Sequence, residues 1–250
     1  MNRAYRVGGA AMLLALAGAS PALAQIQGMP LFTNPRFATG IRVHADYGVL
    51  TNNSSSDFAV VQGGLGLVLG PVGIDANVGT TLATAKSASS CNADPYLCAN
   101  GRATGSALLQ LHLAGGGMSN LSLSAFGGAS MDFSAGDIKC SGGGSCGPSL
   151  EGKLLNIPVG AAIGLHVPLG LASLNLWGAP RYTFGHIINC PSGTTCTNPK
   201  GNFGWAVGAD LPIFRIISVR AAYDSHKDQD LNKTISVIGA GVSIGIGGMR

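Results

Sequence analysis

Hydrophobic and polar residues alternate with a period of two over long stretches of this chain. In Ala59–Leu82, apolar side chains occupy one face, while Gln62, Gly64 and Gly66 lie on the other. The alternation resumes after a Gly-Pro turn, and such a pattern on both sides of a turn predicts a β-hairpin. A soluble sheet usually turns Lys, Glu and Thr to water, whereas this second face consists of glycines, amides and one carboxylate. The pattern therefore favours strands with lipid on one side and a narrow polar lumen on the other.

The same alternation recurs along most of the chain and predicts about ten strands, with eight and twelve as the alternative totals. The predicted strands are Ala38–Val49, the two halves of Ala59–Leu82, Ala103–Leu113, Leu121–Phe133, Leu155–Val167, Leu174–Phe184, Phe203–Leu211, Ile217–Tyr223 and Ile235–Ile246. An unpaired backbone amide or carbonyl group costs several kcal/mol in hydrocarbon, so a membrane sheet must close on itself. We predict an all-β protein, folded as a transmembrane antiparallel up-and-down β-barrel.

The connections between these strands alternate between longer polar loops and short Gly/Pro turns. Barrels of the outer membrane place long loops outside the cell and short turns in the periplasm. All six lysines lie in or beside the loops and outside the predicted strands: Lys86, Lys139, Lys153, Lys200, Lys227 and Lys233. Outward aromatic residues next to the same loops predict a girdle at the outer interface: Tyr47, Phe133, Tyr182, Phe184, Phe203, Trp205 and Tyr223.

The N-terminal residues have the features of a cleaved signal peptide, which would comprise residues 1–24. Arg3 and Arg6 are basic, Gly8–Gly18 is apolar, and small residues precede Gln25. We expect residues 25–37 to form a short periplasmic lead, too small to be a plug or a domain. Residues 38–250 would then form the barrel.

The composition excludes several classes of protein. Only 10% of the residues are charged, against about 25% in a typical soluble domain. Without Arg3 and Arg6, 13 basic residues (15 minus 2) face 11 acidic ones, a net charge of +2 that does not call for nucleic acid. A secreted soluble β-sandwich or lipocalin-like barrel is the alternative fold. It would not leave a solvent face of Gly, Ala, Ser and Asn, with Glu151 as the only glutamate of the chain.

The cysteines agree with export to an oxidising compartment. They occur as three local couples, each in a stretch rich in Gly, Ser or Asn: Cys91 and Cys98, Cys140 and Cys146, Cys190 and Cys196. Six cysteines allow 15 pairings, of which pairing within each couple is the most economical. The spacing is not that of a zinc site, which usually has CxxC pairs or nearby histidines. We therefore expect three disulfides within the loops, no metal site and no cofactor.

The inward positions carry charges of both signs, and charges inside a membrane protein must be paired. The predicted lumen network is Arg42, His44, Asp46, Asp75, Gln110, His112, Asp132, His166, Arg181, Asp210 and Arg220. It could fill the barrel as a network of ion pairs and hydrogen bonds, or it could line a conducting constriction. Inward glycines would leave room for a pore: Gly64, Gly66, Gly73, Gly79, Gly160, Gly164, Gly204, Gly208 and Gly241.

The strand pattern of Ala38–Ile246 resembles the small outer-membrane β-barrel proteins of diderm bacteria, the OmpA-, OmpX- and OmpW-like group. The resemblance implies location in the cell outer membrane and contact with its lipid and lipopolysaccharide. It also implies insertion by the barrel-assembly machinery and a monomeric state. The chain departs from the group by ending in Ile246-Gly-Gly-Met-Arg250 rather than in an aromatic residue, and no peptidoglycan-binding domain follows the last strand.

These observations leave three classes of function. The first is a structural or adhesive role of the disulfide-stapled extracellular loops. The second is a narrow passive pore for small polar solutes or ions. The third is an enzyme, since omptin-like proteases and lipid acyltransferases are similar in architecture; His186, His226, Asp224 and Asp228 are predicted near the rim. Their spacing singles out no nucleophile and base, so we expect a protein that is not an enzyme.

Overall fold

A computed structural model describes residues 29–35, 39–51, 56–85, 98–115, 119–133, 137–138, 153–170, 172–188, 201–213, 216–228 and 233–246. The predicted signal peptide lies outside the described residues. The strands are β1 (Gly40–Leu50), β2 (Ser56–Leu69), β3 (Val72–Ala85), β4 (Ala99–Asn100), β5 (Ala103–Gly115), β6 (Leu121–Asp132), β7 (Asp137–Ile138), β8 (Lys153–Leu169), β9 (Ala172–Ile188), β10 (Asn202–Pro212), β11 (Ile217–Asp228) and β12 (Lys233–Ile246). No helix within these ranges is long and apolar enough to cross a membrane.

Ten of the strands form one closed antiparallel barrel, in the order β1-β12-β11-β10-β9-β8-β6-β5-β3-β2. Consecutive barrel strands are neighbours, and β1 closes the sheet by pairing with β12 from Ile41↔Ile246 to Leu50↔Val237. The predicted up-and-down barrel of about ten strands is confirmed.

The barrel has a turn end and a loop end. At the turn end, the connections are 70–71, 116–120, 170–171 and 213–216. At the loop end they are 51–55, 86–102, 133–152, 189–201 and 229–232, of which the three longest contain the cysteines. Within two of these longer loops, β4 pairs with β7 through Ala99↔Ile138 and Asn100↔Asp137, so the first two cysteine loops are joined by backbone pairing.

Several strands are longer at the loop end than their alternation predicts. The pair β11–β12 continues to Asp228↔Lys233, and β8–β9 continues to Lys153↔Ile188. The expectation that no lysine lies in a strand is therefore wrong for Lys153, Lys227 and Lys233. Paired strands that leave the lipid no longer need one apolar face, so the pattern that predicted them fades while their hydrogen bonding continues.

The outer surface of the barrel is apolar. Leu65 and Val78 in the first hairpin, Ile163 in β8 and Ile244 in β12 all expose large hydrophobic side chains on the outside. In water, a continuous surface of this kind would be an aggregation site. On a closed sheet it is the band that faces hydrocarbon, with every strand paired on both sides.

Residues 29–35, which precede β1, lie inside the barrel. Met29 packs with Leu50, Phe58, Val60 and Val237 near the loop end. Leu31 packs in a second cluster with Leu108, Phe126, Trp177, Ala162, Ala179, Ala206 and Ala222. Together the two clusters contain side chains from all ten barrel strands, so the chain they enclose lies in the lumen.

We call Met29–Pro35 the luminal segment. The expectation of a periplasmic lead too small to be a plug is wrong for these residues. Six residue steps in an extended conformation span about 20 Å, comparable with the apolar band of about 25 Å that such barrels have. A short chain therefore suffices to fill a narrow lumen, and its apolar residues are buried there from water rather than exposed in the periplasm.

The orientation of the exterior can be tested by placing a charge at two depths on one strand. Ile163 and Leu169 both face outward in β8, 57% and 54% exposed, but Leu169 is at the turn. We expect Ile163→Arg to lower the free energy of unfolding by about 2–4 kcal/mol and Leu169→Arg by about 1 kcal/mol or less. Urea titrations in phosphatidylcholine vesicles measure both values. Equal small losses would contradict a lipid-facing exterior.

Candidate functional site

The centre of the lumen holds a cluster of charges that β1, β3, β10 and β11 bring together. Arg220 donates to Asp46 through Nε at 2.7 Å and through Nη2 at 2.5 Å. Gln62 also donates to Asp46, at 3.1 Å. Arg42 forms an ion pair with Asp75 at 2.7 Å. Bidentate and charge-assisted contacts of this kind are the strong class of hydrogen bonds.

His44 joins the two halves of this central cluster. Its Nε2 lies 2.5 Å from Oδ1 of Asn77 and 3.4 Å from Oδ1 of Asp75. Asn77 in turn donates to Asp75 at 3.0 Å and to Ser106 at 3.2 Å. The alternate positions of β1 and β3 point inward, so residues two apart in sequence become neighbours in one network.

Two further ion pairs lie nearer the loop end. Arg181 of β9 donates to Asp224 of β11 at 2.7 Å, and both side chains are fully buried. Arg102, which precedes β5, pairs with Asp132 of β6 at 2.8 Å. The first pair links two strands, and the second links β6 to the residue before β5, so these charges connect parts of the wall as well as neutralise one another.

Near the turn end the polar residues include amides, imidazoles and serine hydroxyl groups. Gln110 donates to Ser124 at 2.7 Å, and Nδ1 of His166 lies 2.8 Å from Oδ1 of Asn175. Asp210, between this level and the central cluster, accepts from the indole Nε1 of Trp177 at 2.8 Å. Nδ1 of His112, the remaining predicted residue, lies 3.3 Å from the carbonyl oxygen of Pro35. The structure thus places all eleven predicted residues on the luminal side.

The luminal segment is held by contacts at each level. The backbone N–H of Leu31 donates to Asp224 at 3.1 Å, and the guanidinium of Arg220 lies 4.4 Å from the centre of the Phe32 ring, within cation–π range. The side chain of Asn34 hydrogen-bonds to Asp210. Gln110 donates to the carbonyl oxygen of Asn34 at 3.2 Å.

The wall of the barrel is shaped to accept this segment. A Cβ atom on Gly164 would lie 2.6 Å from Cγ of Pro35, and one on Gly239 would lie 2.5 Å from Cγ of Pro30. Both distances are shorter than non-bonded carbon atoms allow, so a residue with a Cβ atom at position 164 or 239 would clash with the proline beside it. The prolines also lack an N–H group, which leaves two fewer buried donors for the lumen to satisfy.

The space left by the other inward glycines is occupied as well. A side chain on Gly66 would meet Asp75 and Arg42, and one on Gly208 would meet Trp177. A cavity of about 20 Å³ remains beside Phe32 and Asn34, and one of about 30 Å³ remains beside Met29. Volumes of this size hold a water molecule or two. The described lumen is therefore filled rather than open.

The predicted girdle residues lie on the outer surface towards the loop end. Tyr182 and Phe184 pack edge to face at 4.9 Å, and Trp205 packs against Tyr223 at 5.4 Å. Tyr223 also donates to Ser236 at 2.9 Å. Tyr47, Phe133 and Phe203 are exposed on the same surface, which is where aromatic side chains favour the interface between lipid and water.

Among the cysteines, only Cys98 lies in the described residues. It is fully buried and disulfide-bonded rather than a free thiol. Cys91, Cys140, Cys146, Cys190 and Cys196 lie outside the described residues, so the pairing within each loop stays a prediction.

Of the four residues considered for catalysis, the structure describes the side chains of Asp224, His226 and His186, and that of Asp228 lies outside the described side chains. Asp224 is buried in the lumen and holds Arg181 and the backbone of Leu31. Nδ1 of His226 is 3.8 Å from Asp224, and His186 is exposed on β9. Within the described ranges, no group of three or more His, Cys, Asp or Glu side chains is placed to hold a metal ion.

Sequence reasoning missed parts of the network for identifiable reasons. Asp224 continues the inward series Ser218, Arg220 and Ala222 of β11, and the period of two would have found it had the strand not been ended at Tyr223. Arg102 immediately precedes β5 and gives no periodic signal. The luminal segment lacks the period of two that lipid imposes, because its side chains face the wall of the lumen rather than acyl chains.

The chain matches no family model and no curated protein. Among solved structures, it is similar to the translocator domain of the autotransporter NalP from Neisseria meningitidis, with 13% identity over 83% of this chain and 89% of that one and a TM-score of 0.43. It is also similar to Ail of Yersinia pestis, with 11% identity, coverages of 82% and 99% and a TM-score of 0.39. A third is the outer-membrane protease OmpT of Escherichia coli, with 11% identity, coverages of 83% and 94% and a TM-score of 0.36.

The central ion pair can be tested by a double-mutant cycle. Asp46→Asn leaves Arg220 buried without its charge partner, and we expect it to lower the free energy of unfolding by about 3–5 kcal/mol. Arg220→Gln should cost a similar amount, and the double variant less than the sum, because no lone charge remains. Asp57→Asn, at an exposed carboxylate, is the control and should cost about 1 kcal/mol or less. If the losses of the two single variants simply added in the double variant, Asp46 and Arg220 would not interact.

The packing of the luminal segment can be tested at Leu31, which is 5% exposed. Leu31→Ala should lower the free energy of unfolding by about 2–4 kcal/mol, since it opens a cavity among side chains that cannot all collapse into it. The same change at Leu69, 61% exposed at the turn end of β2, should cost about 1 kcal/mol or less. Urea titration of both refolded variants gives the comparison, and equal losses would place Leu31 outside the packed lumen.

Proposed function

We propose that this protein is an outer-membrane β-barrel with a closed lumen, and that it acts through its extracellular loops as a structural or adhesive surface protein. The observation that carries the proposal is the filling of the lumen by the protein's own chain and charge network. A barrel closed in this way offers its surroundings two surfaces, the lipid-facing band and the loops.

The location follows from the physics of the exterior. An antiparallel closed sheet with an apolar outer face satisfies its backbone without water, as hydrocarbon demands. Single-chain bacterial barrels of this kind occur in the outer membrane, with the longer loops outside. The predicted signal peptide and the cysteines agree with export. Lipopolysaccharide would contact the barrel at the aromatic girdle near the loop end. The protein would be a monomer inserted by the barrel-assembly machinery.

The loop end has the features of a defined surface. The β4–β7 pairing connects two of the cysteine loops, and the buried, disulfide-bonded Cys98 immediately precedes β4. Backbone pairing and disulfides lower the conformational entropy that a loop would lose on binding a partner. The predicted staples within each loop would serve the same purpose.

The described residues support no catalytic assignment, and we propose that the protein is not an enzyme.

The adhesive role can be tested on whole cells of a diderm host that expresses the protein. Cells carrying the full-length protein should bind an immobilised basement-membrane matrix more strongly than cells without it. Replacing residues 189–201 by a Gly/Ser stretch of equal length, or mild reduction of the disulfides, should weaken that binding because the loop surface is lost.

The matched control is Leu69→Ala, which changes the barrel wall and leaves the loops intact. It should bind as well as the original protein at equal surface expression. Binding that is unchanged by the loop replacement and by reduction would exclude the loops as the adhesive surface. A bilayer recording with a continuous conductance for the intact protein would contradict the closed lumen.

A further inference from the structure

We propose that the luminal segment, Met29–Pro35, is a withdrawable plug, and that the barrel conducts small hydrated ions and polar solutes when the plug leaves the lumen. The proposal requires the membrane barrel described above, but it does not depend on the adhesive role of the loops. It assigns the segment the role of a gate: the closed structure does not conduct, and conduction begins when the segment leaves the lumen.

The first argument is that the segment is not part of the sheet. Every barrel strand pairs with two barrel neighbours, so the wall has no free edge to which the segment could add. It is held instead by side-chain packing and by hydrogen bonds that include those from Leu31 to Asp224, from Gln110 to Asn34 and between His112 and the carbonyl oxygen of Pro35. A chain held in this way can leave without breaking the hydrogen-bond ladder of the barrel.

The second argument is that four ion pairs of the wall form without the segment. Arg42–Asp75, Arg220–Asp46, Arg181–Asp224 and Arg102–Asp132 are all contacts between wall residues. Withdrawal of the segment would leave these four pairs in place, so their charges would stay neutralised. Asp210 belongs to none of the four; it would lose Asn34 and keep the hydrogen bond from Trp177. Water already has room beside the segment, in the cavities that border Met29, Phe32 and Asn34.

The third argument concerns what the plug covers. Asn34 hydrogen-bonds to Asp210, and Phe32 covers the guanidinium of Arg220. Gly164 and Gly239 form the seats for Pro35 and Pro30, and without the prolines they become empty recesses. Withdrawal would expose Asp210 and Arg220, one charge of each sign, in a polar passage. Such a lining suits small ions with weak charge selectivity.

Conductance in planar diphytanoyl-phosphatidylcholine bilayers in KCl tests the proposal. Three refolded forms are compared: the mature chain, a form without residues 25–35, and a form with residues 29–35 replaced by Gly/Ser of equal length. The deletion and the replacement should both raise the fraction of time open by about tenfold or more over the mature chain. Far-UV circular dichroism and the heat-dependent shift in gel mobility verify that each form is folded.

A second variant connects the current to the wall residues that the plug covers. In the deletion background, Asp210→Asn should shift the reversal potential in a KCl gradient towards anion permeability, because a negative charge is lost from the passage. Asp57→Asn, outside the proposed passage, should leave the reversal potential unchanged. An unchanged potential for Asp210→Asn would show that the current does not pass the plug site.

Withdrawal in the intact chain is measured with Thr33→Cys. Thr33 is 0% exposed within the lumen, so a charged methanethiosulfonate should modify this cysteine only when the segment leaves. Slow modification that increases the open fraction is the expected result.

A folded deletion form that stays silent overturns the plug proposal and leaves the closed, adhesive barrel intact. A mature chain that conducts continuously overturns the closed lumen itself.

Discussion

The pairing of β1 with β12 is the interaction on which the rest of the structure depends. It runs over ten residue pairs from Ile41↔Ile246 to Leu50↔Val237, and it removes the last free edge of the sheet. Without it, two strands would present unpaired backbone groups to hydrocarbon, at several kcal/mol for each group. Once the sheet is closed, each strand has one face towards lipid and one towards a shared interior. The composition of both faces follows from that division.

The interior must then be filled, because ten strands enclose more space than their small inward side chains occupy. Three devices fill it. Ion pairs such as Arg220–Asp46 and Arg181–Asp224 span the lumen between strands. Large inward side chains, Phe126 and Trp177, occupy one level. The luminal segment occupies the remaining axis, and Gly164 and Gly239 give it space. The network and the segment share Asp224 and Asp210, so the wall and its filling are stabilised together.

The prediction of the strands succeeded where lipid imposes a strict pattern and lost accuracy where it does not. Residues such as Leu65 and Ile163 must be apolar because they face acyl chains, and their alternation identified the strands. Beyond the membrane that demand ends, which is why the extension of β11 to Asp228 and of β8 to Lys153 was missed. The inward polar residues were found by the same alternation, since any residue opposite an outward leucine must face the lumen.

The sequence by itself determined the fold class, the approximate strand boundaries and the side of the wall on which each residue lies, because a period of two is a local property that needs no knowledge of the partner strand. Only the tertiary structure decided which charges meet, that Arg102 joins Asp132 from outside any strand, and that the lumen is closed by Met29–Pro35. These contacts join residues far apart in the chain. A segment inside the lumen has no face towards lipid and therefore lacks the period of two by which the strands were found. Its position depends on wall strands that surround it only after the sheet has closed.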